Sequence, residues 1–207
     1  MFLRSFLSCS TICSTFSRTM ASRNGPTVSG TDGNDFLHRQ KVATQYQLSS
    51  VNKSRLKTCI FVHIVLFLVM LFKLLPDILD RVDIFVMEVE ELEIPKPLKW
   101  EYWWCVSLPV AFVGLSSIRK NNVQSLQIYL GGITANGLIP VLYALYYYFG
   151  DVYKYIDTRS TKGIQTWMGY PYAILWYAFL VVALQVHGAS IFFSSKLVSA
   201  WRLKKTT

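Results

Sequence analysis

The stretch CIFVHIVLFLVMLFKLL, residues 59–75, decides the fold of this chain. Its seventeen residues include one histidine and one lysine, and all the others are apolar. A helix that crosses a bilayer needs about 17–25 mostly apolar residues, each adding ~1.5 Å. The stretch therefore predicts a membrane-spanning helix.

Three further apolar runs follow, at residues 100–118, 123–149 and 170–193. Of the 207 residues, 52% are apolar and only 16% are charged, whereas a soluble domain has about 25% charged residues. Four such runs leave too little polar surface for the helices of a soluble core. The pattern predicts an all-α membrane protein with four transmembrane helices in an antiparallel bundle, within residues 58–193.

The lysines and arginines predict the orientation of these spans. Fourteen lie before span one, in the turn between spans two and three, or after span four, and six lie in the other two loops. Because positive residues collect on the cytosolic side, both termini are predicted to be cytosolic. The formal net charge of +9 is therefore explained by positive residues that orient the spans, and no nucleic-acid partner is expected.

Aromatic residues cluster at the opposite ends of the spans. They open span two at Trp100, close span three at residues 146–148, and open span four at Tyr170 and Tyr172. Tryptophan and tyrosine rings favour the membrane interface. Four antiparallel spans therefore predict that the three clusters lie together at one interface.

The polar ends of the chain form three predicted segments. Residues 1–19 are rich in serine and threonine and have no acid, as in a transit peptide, but Met20 follows directly and indicates an alternative start. Residues 20–57 are predicted to be a polar cytosolic arm with one short helix near residues 36–47. Residues 194–207 are predicted to be a basic cytosolic tail.

Two histidines are predicted at membrane depth, where ionisable groups are candidates for function. His63 lies four residues inside the start of span one, and His187 lies six residues inside the end of span four, with Gln185 nearby. This set is consistent with an interhelical hydrogen bond, with haem ligation, or with a proton pathway. The last interpretation would make the chain a small transporter or proton pathway that uses His63, Gln185 and His187.

Two charged residues are predicted near the opposite membrane face. Lys73 lies two residues before the end of span one, so its ammonium is expected to reach the headgroups. Glu101 lies at the start of span two and is expected to be hydrated. Neither is predicted to belong to a site.

Small residues and prolines mark spans two and three. Gly131 and Ala135 are four residues apart, which predicts a small helix face that a neighbouring helix can approach closely. Pro109 and Pro140 predict bends in the two spans.

No sequence pattern indicates catalysis, a cofactor or a metal. The four cysteines, Cys9, Cys13, Cys59 and Cys105, lack the spacing of a zinc site or a haem attachment. There is no nucleophile elbow, phosphate-binding loop or HExxH motif. The chain is therefore not predicted to be an enzyme.

From Met20 onward the sequence resembles the Jagunal family of small four-span endoplasmic reticulum proteins. The resemblance rests on an ordered set of motifs. They are MASRNGP and GTDGNDFLHRQKVATQYQ within residues 20–47, FVHIV in span one, WEY at residues 100–102, RKNN at residues 119–122, LQVHGAS at residues 184–190, and the dilysine end.

The resemblance implies a non-enzymatic protein of the endoplasmic reticulum membrane. Such proteins organise this membrane and support vesicle-mediated transport in the early secretory pathway. It also implies that Lys204 and Lys205 form a retrieval signal that the COPI coat binds. No catalytic residue is implied.

Overall fold

The structure is a computed structural model that describes the backbone of residues 34–206 and the side chains of residues 39–202 except Glu90. Residues 1–19, the first part of the arm, and the side chains of Lys204 and Lys205 lie outside the described residues. The described chain is mostly helical, which confirms that part of the predicted fold class. Its helices are α1 (Asn34–Arg81), α2 (Met87–Glu90), α3 (Lys99–Cys105), α4 (Ser107–Lys120), α5 (Val123–Ile133), a π-helix (Thr134–Leu138), α6 (Ile139–Thr158) and α7 (Tyr172–Thr206).

The described part of the chain also contains a short two-stranded β-hairpin. Strands β1 (Thr166–Trp167) and β2 (Tyr170–Pro171) pair antiparallel just before α7. Gly169 has φ +81°, and Met168 has φ +49°, so the two linking residues both have the positive φ that a tight hairpin turn requires.

The chain divides into two compact units, and Gln45–Thr207 is the larger. In the described part of the smaller unit, the Thr44 hydroxyl donates a hydrogen bond to the Gln40 carbonyl, 2.9 Å away and one helical turn earlier. All contacts discussed below lie within the larger unit.

Among the described residues, three helical stretches are long and apolar enough to cross a membrane: Arg39–Arg81, Val123–Thr158 and Tyr172–Arg202. The predicted first and third spans lie inside the first two, and the predicted fourth span begins two residues before α7. Helix α1 also contains the short helix predicted near residues 36–47, since it runs from Asn34 without a break. The reason is local: no glycine or proline occurs between residues 34 and 75, so nothing ends the helix.

The predicted second span consists of two helices, α3 and α4, which meet at Val106. Pro109 lies in the first turn of α4 and has no N–H, so it cannot donate to the carbonyl of Cys105 four residues earlier. At the junction itself, the Val106 N–H donates to the Trp103 carbonyl, three residues earlier, at 3.1 Å. This turn is tighter than that of an α-helix. The bend predicted from Pro109 is therefore a break between two helices.

Pro140 has a different effect on span three. It lies at the start of α6, directly after the π-helix, and is buried. A proline has no N–H to donate to the carbonyl four residues earlier, and the wider turn of a π-helix accommodates this missing hydrogen bond without ending the helix. The helical path therefore continues from α5 through the π-helix into α6.

The RKNN motif forms the turn between α4 and α5. Asn121 ends α4 in the left-handed conformation, with φ +52°, which asparagine adopts more readily than most residues. The Asn122 side chain then caps α5 by accepting a hydrogen bond from the Gln124 N–H at 3.0 Å. This turn sends α5 back alongside α4.

Close approach of α4 and α5 depends on glycines other than the predicted one. A Cβ on Gly114 would lie 2.6 Å from the Tyr129 ring, and a Cβ on Gly132 would lie 2.7 Å from Val110. Gly131 and Ala135 are exposed, and nothing lies within 4 Å of a Cβ on Gly131. The predicted small face was therefore wrong, because it lies on the outside of the bundle.

Candidate functional site

Two groups of buried polar side chains occupy the interior of the larger unit. The first, here called the histidine cluster, consists of His63, Trp104, Ser107 and His187. The second, here called the ion-pair cluster, consists of Lys73, Glu101, Tyr172 and Trp176.

Helix α1 supplies one member of each cluster from its buried face. Leu56, Ile60, His63, Met70 and Lys73 are buried, and their spacings of three, four and seven residues place them on one side of a helix. His63 and Lys73 are ten residues apart, which corresponds to about 15 Å along the helix axis. The clusters therefore occupy two levels of the bundle.

The histidine cluster joins helices that are far apart in the sequence. His63 Nε2 lies 2.9 Å from Ser107 Oγ, linking α1 to α4. The Trp104 indole N–H donates to His187 Nε2 at 2.9 Å, linking α3 to α7. The two imidazole rings meet edge to face, with centroids 4.9 Å apart. One small cluster thus connects four helices.

The Trp104 hydrogen bond sets the protonation pattern of His187. An indole N–H can only donate, so His187 Nε2 must accept and the proton of a neutral ring is on Nδ1. Neither His187 Nδ1 nor His63 Nδ1 has a hydrogen-bond partner among the described residues. The cluster therefore combines two satisfied ring nitrogens with two that retain hydrogen-bonding capacity.

Gly137 makes room for His187 from the third span. A Cβ at this position would lie 2.9 Å from His187 Cε1 and 3.0 Å from Nδ1, closer than real side chains pack. Gly137 belongs to the π-helix, which often occurs at functional positions. The local widening of the helix therefore coincides with its contact to the histidine cluster.

The structure brings together two of the three residues predicted for an intramembrane polar contact. His63 and His187 are 1% and 0% exposed and in contact. Gln185 is exposed, two residues before His187 and so on another side of α7. A haem held by both histidines would need its porphyrin plane between two rings that already touch, so the geometry does not fit that interpretation.

Lys73 and Glu101 form the centre of the ion-pair cluster. The Lys73 ammonium donates to Glu101 Oε2, and the two residues are 7% and 0% exposed. The ammonium also lies over the rings of Tyr172 and Trp176, 5.8 Å and 5.3 Å from their centroids. Cation–π attraction of this kind strengthens when the cation is desolvated.

The two sequence expectations for these residues were wrong. The Lys73 side chain does not extend along the surface of the bundle, and Glu101 is not hydrated, because the two residues are buried against each other and each compensates the charge of the other. Their separation of 28 residues hides the pair from any local pattern. The available signal was that two opposite charges lie at the same predicted ends of adjacent antiparallel spans.

Further polar contacts fasten α1 to the rest of the bundle. Asp77 accepts hydrogen bonds from the Tyr102 hydroxyl and from Arg81 Nε. At the other end, the Trp201 indole N–H donates to Ser49 Oγ at 2.9 Å, and the Lys53 ammonium lies 5.3 Å from the Trp201 ring centroid. Helix α1 is therefore held by polar contacts along much of its length.

The three predicted aromatic clusters do lie together. The ring of Tyr148 is 6.4 Å from that of Trp100 and 6.2 Å from that of Tyr172. These contacts place the start of α3, the middle of α6 and the start of α7 at one level. Helix α6 continues ten residues beyond Tyr148, about 15 Å, to Thr158.

The segment after the fourth predicted span is helical rather than extended. Helix α7 continues to Thr206, and Leu197, Val198 and Trp201 are buried. Residues 194–201 therefore belong to the packed bundle. Lys204 and Lys205 follow Trp201 after two intervening residues, and their side chains lie outside the described part.

Comparisons with known proteins agree on one family. Residues 20–205 match the Jagunal family, described as "ER re-organisation during oogenesis". Protein jagunal of Drosophila melanogaster is 50% identical over 193 residues, covering 91% of this chain and 98% of the relative. Protein jagunal homolog 1 of Homo sapiens is 31% identical over 182 residues, covering 88% and 94%, respectively.

Proposed function

The chain belongs to the Jagunal family, and we propose that it is a non-enzymatic, multi-pass protein of the endoplasmic reticulum membrane that supports vesicle-mediated transport early in secretion. The observation that carries this proposal is the family match over residues 20–205, whose description names re-organisation of the endoplasmic reticulum. That description names a change in a membrane system, not a reaction. The three helices able to cross a membrane are consistent with the location.

The proposal includes four spans with both termini in the cytosol. Helices α3 and α4, with Val106 between them, cover 22 residues, about 33 Å at ~1.5 Å per residue, which matches the hydrocarbon thickness of about 30 Å. Helix α4 packs along α5 through Gly114 and Gly132. An even number of spans and the fourteen-to-six distribution of positive residues support cytosolic ends.

The proposal also assigns Lys204 and Lys205 to a retrieval signal that binds the COPI coat. They occupy the fourth and third positions from the C-terminus. Burial of Trp201 against α1 anchors the chain three residues before the pair. The two lysines would then be held close to the cytosolic end of the bundle.

Replacement of a relative tests the function. In Drosophila melanogaster cells depleted of their own protein jagunal, expression of this chain should restore both the organisation of the endoplasmic reticulum and the export rate of a secreted reporter. A matched chain with Leu126→Arg, which places a charge in the buried core, should fail in both. Restoration of neither property by a stably expressed, correctly located wild-type chain would contradict the proposal.

A further inference from the structure

A pocket opens on the side of the bundle between α1 and α7. It has a volume of about 320 Å³ and an almost wholly apolar lining, which is within the ~300–1,000 Å³ range of small-molecule sites. Helix α1 contributes Val69, Phe72 and Lys73, and α7 contributes Leu175 and Phe179. We call this the side pocket.

The mouth of the side pocket lies among exposed apolar side chains of α1 and α7. Phe72 is 75% exposed, and Val69 and Leu175 are also exposed. They belong to two of the three helices that are long and apolar enough to cross a membrane. In the membrane-spanning position proposed for these helices the surrounding medium is hydrocarbon, so a lipid chain would enter from the side without crossing water.

The two loops on this side of the bundle close the end of the side pocket. Leu92, Ile94 and Trp167 line it from outside the long helices. The Trp167 indole N–H donates to the Leu92 carbonyl at 2.9 Å, which ties the loop after α1 to the hairpin before α7. The hydrogen bond uses the polar group of Trp167, so its ring is available to cover hydrocarbon.

Lys73 supplies the charged group of the side pocket. An ammonium can donate three hydrogen bonds, and the described contacts of Lys73 include one, to Glu101. Because Glu101 neutralises the charge, the pair does not require an anionic ligand. An ester or phosphate oxygen suits the remaining capacity, and Lys73 contacts Glu101 at the start of α3, where the aromatic residues of the sequence predict the membrane interface.

We propose that the side pocket binds one glycerophospholipid, with an acyl chain against Val69, Phe72, Leu175 and Phe179 and with its ester or phosphate oxygens accepting hydrogen bonds from Lys73. This inference goes beyond the role in the endoplasmic reticulum, but it rests on the membrane-spanning position proposed for α1 and α7. It makes the ion-pair cluster a headgroup-binding element as well as a structural one.

Photolabelling of the purified full-length chain in lipid nanodiscs tests the proposal. The probe is a phosphatidylcholine with a diazirine in one acyl chain, and the labelled residues are mapped by mass spectrometry. Label should concentrate on residues 69–73 and 175–179. An even spread over the exposed faces of α1, α6 and α7 would mean only bulk lipid contact and would overturn the proposal.

Variants that fill the pocket distinguish lipid binding in the pocket from non-specific contact of lipid with the apolar helix surface. Leu175→Trp and, independently, Val69→Trp should lower labelling at the other wall of the pocket by about tenfold, since a bulky ring displaces several methylenes of the chain. Val181→Trp, at an exposed position of α7 outside the pocket, is the matched control and should not change it. Unchanged labelling in both pocket variants would contradict the proposal.

A second probe tests the headgroup. A long-chain alkane with the same diazirine has no oxygen atom that could accept a hydrogen bond from Lys73, and it should label the pocket less than the phospholipid does. Lys73→Met combined with Glu101→Gln removes both charges and should abolish this preference. Equal labelling by the two probes in the wild-type chain, or an undiminished preference in the double variant, would overturn the assignment of Lys73.

Discussion

Trp104 and His187 illustrate how a residue pair can join distant helices. Their hydrogen bond spans 83 residues of sequence and is fully buried. Inside a membrane an unpaired indole N–H or imidazole nitrogen has no water with which to form a hydrogen bond. The measured contribution of such hydrogen bonds to the free energy of unfolding is nevertheless modest, because these groups also find hydrogen-bond partners when the chain is unfolded in a membrane.

The first prediction concerns this bond. In a double-mutant cycle, Trp104→Phe and His187→Leu should show a coupling energy of about 0.6 kcal/mol and at most ~1.7 kcal/mol, measured by reversible unfolding in mixed micelles. The same cycle with Gln185→Leu, an exposed position of the same helix, should be additive. Equal coupling in both cycles would contradict the assigned hydrogen bond.

The second prediction concerns the ion pair. Lys73→Met or Glu101→Met alone leaves a buried charge without its partner and should cost about 3–5 kcal/mol of unfolding free energy, whereas the double variant should cost less than either. The exposed charges Glu91 and Lys99 provide controls, since Glu91→Gln and Lys99→Met should change it by less than about 0.5 kcal/mol. A loss below about 1 kcal/mol for each buried single variant would indicate a solvated pair.

At the scale of elements, the π-helix places a glycine where any side chain would meet His187. The third prediction is that Gly137→Ala lowers the unfolding free energy by about 1–3 kcal/mol through overpacking. Gly131→Ala, where nothing lies within 4 Å of the added Cβ, should be neutral or stabilise by up to about 1 kcal/mol through helix propensity. A thermal unfolding series compares the two, and equal effects would contradict the close contact.

The elements themselves were largely predictable, because hydropathy and the absence of helix-breaking residues are local properties. Residues 59–75 indicate a span from their composition alone, and Pro109 marks the break at Val106. The partners of Lys73, Glu101 and Trp104 were not predictable, because they depend on the rotation of each helix about its axis. The same limit explains why Gly131 and Gln185, which differ from Gly132 and His187 by one or two positions, lie on outer faces.

At the scale of the whole molecule, the topology makes a fourth prediction. Arg159 follows α6 about 16 Å beyond the level of Tyr148 and has φ +51°, which asparagine tolerates well. Arg159→Asn creates an Asn-Ser-Thr sequon that should be glycosylated in microsomes. The native Asn-Lys-Ser sequon at Asn52, which lies in the predicted cytosolic arm, should not be glycosylated. Glycosylation at Asn52 would place the N-terminal arm in the lumen and would contradict the predicted cytosolic termini.

The central claim is that this chain resides in the endoplasmic reticulum through a signal at its cytosolic end. The direct test is the steady-state location of the full chain with Lys204→Ser and Lys205→Ser, compared with a matched chain carrying Lys196→Ser and Arg202→Ser. Both variants lose two positive charges from the same tail, but only the first loses the proposed coat-binding pair. The account predicts that the first variant reaches the Golgi or the cell surface while the second remains in the endoplasmic reticulum, and identical locations for the two would contradict it.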